Sequence, residues 1–185
     1  MLPEISLNIL DIAQNSVRAK ASLIQILLHI ESKEEKLTVT ISDNGSGMTK
    51  EQLAHVTDPF YTSRTTRRVG LGIPFLKQSA ECTGGAFSIE SSVGKGTTVA
   101  VSYYLNHIDC MPLGDVNQTI EMLVTSYEDI DFVYRYEIDE KGYELDTRQM
   151  RQILGGVPFS EPDVRAFIKE YLKENKKEID EIFDR

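Results

Sequence analysis

Apolar side chains recur with two different periods along the first hundred residues. In residues 3–19 they fall on one helical face, whereas in residues 23–31 they alternate with polar ones, as in a half-buried strand. Along the chain these periods predict helix 3–19, strands 23–31 and 37–41, a short helix opened by the capping-box residues 49–52, helix 71–83, and strands 87–90 and 97–104. This order predicts an α+β, two-layer sandwich: a mostly antiparallel, mixed sheet with helices on one face.

The remaining residues, 107–185, show regular patterns of their own. They predict a helix opened by Asp115, a strand at 132–138, a turn at Lys141-Gly142, a strand at 143–145, and a long helix capped by Ser160 with apolar positions from 164 to 183. We therefore expect a small C-terminal α+β unit. The apolar face of the long helix fits packing on this unit, which we favour, or pairing with a second copy of the chain in a homodimer.

Charge is distributed unevenly between these two parts. Residues 1–106 carry ten acidic and ten basic side chains, whereas residues 107–185 carry nineteen acidic and ten basic ones and account for the net charge of −9. The shift predicts a boundary near residues 106–112, between a domain at 1–106 and an acidic extension at 107–185. Nucleic acid is not an expected partner of the extension, since phosphate neutralisation requires Lys and Arg.

Composition is that of an ordinary soluble globular protein. No apolar run has the length of a membrane span, and the N-terminus lacks the basic flank and apolar stretch of a signal peptide. The two cysteines, Cys82 and Cys110, form neither a disulfide framework nor a metal-ligand spacing. We expect a cytoplasmic protein with reduced thiols and no membrane insertion.

Residues 43–48 (DNGSGM) follow a predicted strand and allow two interpretations. Asn-Gly is a preferred pair in hairpin turns, so the segment fits a simple turn. Alternatively, the Asp43 carboxylate accepts a hydrogen bond from the exocyclic amine of adenine, and Gly45 and Gly47 let the backbone pass close to the base. An Asp at the strand end does not favour a hairpin, so it slightly supports the second interpretation.

Three polar residues share one face of the first predicted helix: Asp11, Asn15 and Arg18. The side-chain oxygen of Asn15 suits Mg²⁺, Arg18 suits phosphate, and a carboxylate at Asp11 could polarise an attacking water or hydroxyl. Ordinary solvated helix positions would give the same pattern.

Residues 70–73 (GLGI) open a predicted helix, whose free N–H groups form a phosphate site. A plain turn before a helix would look the same. The preceding segment, rich in Thr and Arg, has the character of a lid that closes over a nucleotide. For Arg67 and Arg68 a solvated basic loop remains an alternative.

Together with residues 94–98 (GKGTT), these segments resemble, in order, the ATP-binding domains shared by gyrase, the heat-shock chaperone, sensor histidine kinases and MutL, known as the GHKL superfamily. The resemblance covers roughly residues 3–105 and is closest to the ATPase domain of sensor histidine kinases, except that the first helix is similar to that of MutL. It implies a Bergerat-type fold that binds ATP and Mg²⁺, with Asp11 as general base and Asn15 as metal ligand. The implied nucleotide-binding residues are Asn15, Arg18, Asp43, Gly45, Gly47, Met48, Thr62, Ser63, Arg64, Gly70, Leu71, Gly72, Ile73 and Thr97.

The chain also departs from this pattern. No segment resembles the helix hairpin that carries the phosphoacceptor of a sensor kinase, and none of the three histidines suits that role. Asp11 is one methylene shorter than the usual glutamate. The favoured function is an ATPase or protein kinase, specific for histidine or serine, acting on a separate partner in signalling. A non-catalytic nucleotide sensor is the alternative; four ordered segments argue against a purely structural module.

Overall fold

The computed structural model describes residues 4–60 and 71–183. Its elements, in chain order, are α1 (Ile5–Arg18), β1 (Leu23–Glu31), β2 (Lys36–Asp43), α2 (Lys50–His55), α3 (Gly72–Cys82), β3 (Phe87–Ser92), β4 (Gly96–Tyr104), α4 (Val116–Ser126), β5 (Asp131–Ile138), β6 (Lys141–Asp146), α5 (Thr147–Leu154) and α6 (Pro162–Phe183). The predicted capping box of α2 is formed: the Gln52 amide donates to Thr49 Oγ1 and the Thr49 amide donates to Gln52 Oε1.

One six-stranded sheet, in the order β3-β4-β2-β1-β5-β6, contains every strand of the described residues. Only β1 and β5 are parallel; the other neighbouring pairs are antiparallel. The predicted α+β class, with a mostly antiparallel mixed sheet, is confirmed.

The two C-terminal strands extend the sheet that the first hundred residues begin. β5 pairs with β1 from Leu23 opposite Asp131 to Ile30 opposite Ile138, and β6 forms the sheet edge beyond it. The composition boundary at residues 106–112 falls between β4 and α4. Residues on both sides of that boundary therefore share one sheet.

The two faces of the sheet differ in polarity. Ile24, Ile26 and Leu28 of β1 are buried and belong to the same apolar core as residues of α1, α3, α4 and α6. On the opposite face Gln25 of β1 and Arg135 of β5 are exposed. This alternation gives a two-layer arrangement, with helices covering one face.

The long helix α6 uses its apolar face within the chain. Val164, Ile168, Leu172 and Ile179 are buried in the common core. This is the packing that we favoured over a seam between two copies of the chain.

Three features after residue 130 differ from the sequence predictions. The β5–β6 turn is at Asp139-Glu140, not Lys141-Gly142: Asp139 has φ +52°, a conformation that Asp tolerates, and its carboxylate accepts from the Ser32 amide at 2.9 Å. Helix α5 was not predicted, because its sequence is mostly polar. Finally, α6 begins at Pro162, which suits the first helical position, so Ser160 is not its cap.

None of the described helices is long and apolar enough to cross a membrane. The predicted lid residues Thr62, Ser63 and Arg64 lie outside the described residues, as does Gly70.

Candidate functional site

A cleft of about 340 Å³ opens between the second half of α1, the end of β2, the beginning of β4 and the start of α3. Its floor is apolar and consists of Ile12, Ile41 and Val99, which are also core residues or border the core. Polar side chains stand around the floor. The cleft therefore combines apolar residues with directional polar groups, as small-molecule sites do.

The Asp43 carboxylate at the end of β2 is held by three donors. Ser16 Oγ of α1 donates to Oδ2 at 2.5 Å, and the amides of Gly45 and Thr97 donate to Oδ1 at 2.9 and 3.3 Å. Asp43 and Thr97 are also register partners between β2 and β4. Donors from a helix, a loop and a strand thus fix this acceptor at the cleft wall.

The hairpin interpretation of residues 43–48 does not hold. β2 pairs with β1 on one side and β4 on the other, and after Asp43 the chain continues to α2. Asn44 instead ties this loop to the start of β1. Its Oδ1 accepts from the amides of Ser22 and Leu23, both at 2.9 Å, and its Nδ2 donates to Ser22 Oγ at 2.9 Å.

Gly45 and Gly47 are required by the packing of the chain itself. A Cβ on Gly45 would lie 2.8 Å from the Cβ and the carbonyl oxygen of Ala19. Gly47 has φ +65°, and a Cβ there would overlap the carbonyl of Ser92. Of these two glycines, Gly47 lines the cleft and Gly45 does not.

Asn15 and Arg18 present their side chains to the cleft from α1. They are hydrogen-bonded to each other, with the Arg18 guanidinium donating to Asn15 Oδ1 at 2.7 Å. The oxygen that suits a metal ion is therefore next to the cation that suits a phosphate. This places the polar end of the cleft at the last turn of α1.

Asp11 lies against the start of α3. The absence of a side chain at Gly72 makes room for it, because a Cβ on Gly72 would overlap the Asp11 carboxylate. Helix α3 begins at Gly72, and the side chain of Leu71 does not cap it. The carboxylate and the helix start are thus packed together, although neither residue lines the cleft.

Ser91 of β3 joins the two loops at the other end of the cleft. Its Oγ accepts from the Met48 amide at 2.9 Å, and it lies 2.8 Å from Thr97 Oγ1. The entrance to α2 and the start of β4 are thereby held together.

The predicted site residues fall into three groups. Those that line the cleft are Asn15, Arg18, Asp43, Gly47, Met48, Ile73 and Thr97. Those described outside the cleft lining are Asp11, Gly45, Leu71 and Gly72, of which Asp11, Gly45 and Gly72 each directly neighbour a lining residue in the chain. Thr62, Ser63, Arg64 and Gly70 are not described.

Sequence reasoning missed several lining residues: Ile12, Ser16, Ala19, Ile41, Ser46, Gln52, Val56 and Val99. Ser16 could have been found, because it directly follows Asn15 and is a polar residue next to the apolar face of α1. The apolar residues carry no such signal, since core and cleft floor have the same pattern.

The family described as "Histidine kinase-, DNA gyrase B-, and HSP90-like ATPase" matches residues 3–107. That span contains α1 to β4 and every residue named above as lining the cleft.

Curated relatives include bacterial kinases. Sporulation kinase D of Bacillus subtilis is 31% identical over 94 residues, covering 51% of this chain and 18% of that protein. Sporulation kinase B of the same organism is 36% identical over 77 residues, covering 40% of this chain and 18% of that protein. The chain therefore spans less than a fifth of the length of these relatives.

Two solved structures share the fold. The ADP complex of the Aquifex aeolicus MutL ATPase domain superimposes with a TM-score of 0.54 and 12% identity, covering 84% of this chain and 70% of that one. The N-terminal domain of a DNA repair protein gives a TM-score of 0.51 and 17% identity, covering 77% and 51%. The superposed 84% and 77% of this chain are both more than residues 3–107 amount to, so the similarity of fold extends into the acidic extension.

Proposed function

Because the chain belongs to the histidine kinase-, DNA gyrase B- and HSP90-like ATPase family, we propose that it binds Mg-ATP in the cleft beside Asp43 and uses it in a regulatory reaction. The reaction is hydrolysis, or transfer of the γ-phosphoryl group to a separate protein. The observation that carries the proposal is the Asp43 carboxylate, fixed at the cleft wall by Ser16, Gly45 and Thr97.

The adenine end of the proposed site follows from hydrogen-bond chemistry. A carboxylate accepts a hydrogen bond from the exocyclic amine of adenine, whereas guanine has a carbonyl oxygen at that position and would be repelled. The apolar floor formed by Ile12, Ile41 and Val99 suits the face of a purine ring. We assign Asp43 as the group that selects adenine.

The phosphate end lies at the last turn of α1. Mg²⁺ prefers oxygen ligands and usually keeps several waters, so Asn15 Oδ1 together with nucleotide phosphates would suffice to hold it. Among the described residues there is no group of three or more His, Cys, Asp or Glu side chains placed to bind a metal ion by themselves. We assign Asn15 to the metal ion and Arg18 to the phosphates.

Phosphoryl transfer requires positioning and charge from the protein more than covalent chemistry. Asp11 is our candidate for the base that accepts a proton from the attacking water or hydroxyl. The start of α3, at Gly72 and Ile73, offers N–H groups to the transferring phosphate. We place the phosphoacceptor on a separate protein. His29 does not suit this role, because it lies in β1 and its Nε2 is hydrogen-bonded to the Asp139 carbonyl.

A non-catalytic nucleotide sensor is the second candidate. It is favoured by one observation: Asp11 is not among the described residues that line the cleft, and its carboxylate packs against Gly72. In this function nucleotide binding would change a surface that a partner protein recognises. Binding would then occur without turnover.

The test is phosphate release from Mg-ATP by the purified chain, with nucleotide affinity measured in parallel. Asp11→Asn is compared with Asp129→Asn, which changes an exposed acid outside the site. Loss of release in Asp11→Asn alone, at unchanged affinity, supports an ATPase. Tight binding without release supports a kinase acting on a separate protein or a sensor, and addition of candidate partner proteins with labelled ATP separates these two. Absence of binding overturns the proposal.

A further inference from the structure

The beginning of α1 is capped by the acidic extension. The side chain of Glu4 does not cap the helix. Instead, the backbone amides of Ile5 and Ser6 donate to the carbonyls of Pro112 and Leu113 at 3.0 and 2.9 Å. Helix starts need such acceptors, because their first N–H groups have no partner within the helix. Residues from beyond the family match therefore complete the helix that carries Asn15 and Ser16.

The chain just after α1 is also bonded to the extension. The Ser22 carbonyl accepts from the amide of Asp131, the first residue of β5, at 2.9 Å. From there β1 runs parallel to β5. Residues after position 106 thus hold α1 at its first turn and the chain just after its last turn.

The segment between these two anchors supports the loop that follows Asp43, residue by residue. Ser16 bonds the Asp43 carboxylate, and Ser22 bonds Asn44. The carbonyl of Ala19 accepts from the Ser46 amide at 2.8 Å, and Ala19 leaves no room for a side chain on Gly45. A shift of this segment would therefore move the whole 43–46 loop.

We infer that the acidic extension is a positioning element of the nucleotide site: it sets the place of α1, and α1 sets the place of Asp43 and Asn15. The inference rests on the proposed function. It assigns a role to a part of the chain that the family match does not include. By thermodynamic linkage, an extension that improves nucleotide binding must itself be stabilised by nucleotide.

Two glycines of the extension provide a matched test in the full chain. Gly114 has φ +74°, and a side chain there would overlap the Glu4 carboxylate and Ser6 Oγ at the start of α1. Gly155 has φ +60°, and a Cβ there would have no atom within 4 Å. Leucine at either position imposes a similar backbone strain, but only Gly114→Leu also disturbs the contact between the extension and the start of α1.

The measured quantity is the Mg-ATP dissociation constant, with thermal unfolding as the control for folding. We expect Gly114→Leu to weaken binding by about fivefold or more, the lower range of coupling between sites, and Gly155→Leu to bind as wild type does. Equal affinity of the two folded variants overturns the inference while leaving the proposed function intact. Absence of binding by the wild-type chain overturns both.

Thr119→Val keeps the test decisive if Gly114→Leu does not fold. It removes only the hydrogen bond from Thr119 Oγ1 to the Ser6 carbonyl, in a buried position. We expect a smaller loss of affinity in the same direction; unchanged affinity counts against the inference.

Hydrogen exchange on the wild-type chain tests the reciprocal effect, that of the nucleotide on the extension. Mg-ATP should slow exchange at the anchor amides of Ile5, Ser6 and Asp131, and should not do so in Asp43→Asn. Protection confined to the cleft residues would contradict the positioning role.

Discussion

Ser16 Oγ and Asp43 Oδ2 lie 2.5 Å apart and join the last turns of α1 to the end of β2. Ser16 is buried, and its hydroxyl donates its hydrogen bond to this carboxylate. The contact links the helix proposed to hold metal and phosphate with the acceptor proposed to select adenine. In the proposed site, one helix therefore positions both ends of the nucleotide.

Replacing Ser16 with Ala should weaken ATP binding without unfolding the chain. The carboxylate loses one of its three donors, and hydrogen bonds to charged groups contribute about 1.5–3 kcal/mol, so we expect a loss of about tenfold. Isothermal titration measures it. Ser79→Ala is the matched control, because Ser79 bonds the Leu76 carbonyl on α3 away from the cleft. Equal affinities in the two variants would contradict the role of Ser16.

Replacing Asn15 with Ala should remove most of the effect of Mg²⁺ on ATP affinity. Asn15 supplies the protein oxygen to the metal in our assignment, so binding with Mg²⁺ and binding with chelator should become similar. Asn106→Ala is the control, since Asn106 bonds Glu35 in an exposed position. A Mg²⁺ effect as large in Asn15→Ala as in wild type would exclude Asn15 as ligand.

Gly72 and Asp11 should be energetically coupled. Gly72→Ala introduces a Cβ that overlaps the Asp11 carboxylate, and such overpacking costs about 1–3 kcal/mol. In an Asp11→Ala background the overlap is relieved, so the same change should be close to neutral. Urea unfolding of the four chains tests this cycle. An equal effect of Gly72→Ala in both backgrounds would contradict the contact.

The sequence was sufficient for elements whose side-chain pattern follows local rules. Alternation around Ile24 and Ile26 predicted β1 because one face of that strand is buried against helices. Helix α5 was not predicted, because its few apolar residues, such as Met150 and Leu154, are only partly buried against the core. The helix has only eight residues, which leaves few positions from which a helical period can be recognised.

In the candidate site, too, residues within local motifs were predicted, whereas contacts between distant segments were not. Asp43 and Asn15 were predicted because each stands in a recognisable motif. The bonds from Ser16 to Asp43 and from Asn44 to Ser22 join positions more than twenty residues apart, and no spacing rule connects them. Pairing of β5 with β1 is likewise a tertiary contact, so the acidic extension could be predicted as folded but not as part of the sheet.

The central claim is that the Asp43 carboxylate accepts a hydrogen bond from the exocyclic amine of adenine. The most direct measurement compares wild type with Asp43→Asn for two ligands, ATP and purine riboside triphosphate, which lacks that amine. We predict that wild type prefers ATP, that Asp43→Asn binds ATP about tenfold to a hundredfold more weakly, and that the two proteins bind the purine analogue alike. Unchanged ATP affinity in folded Asp43→Asn would contradict the account.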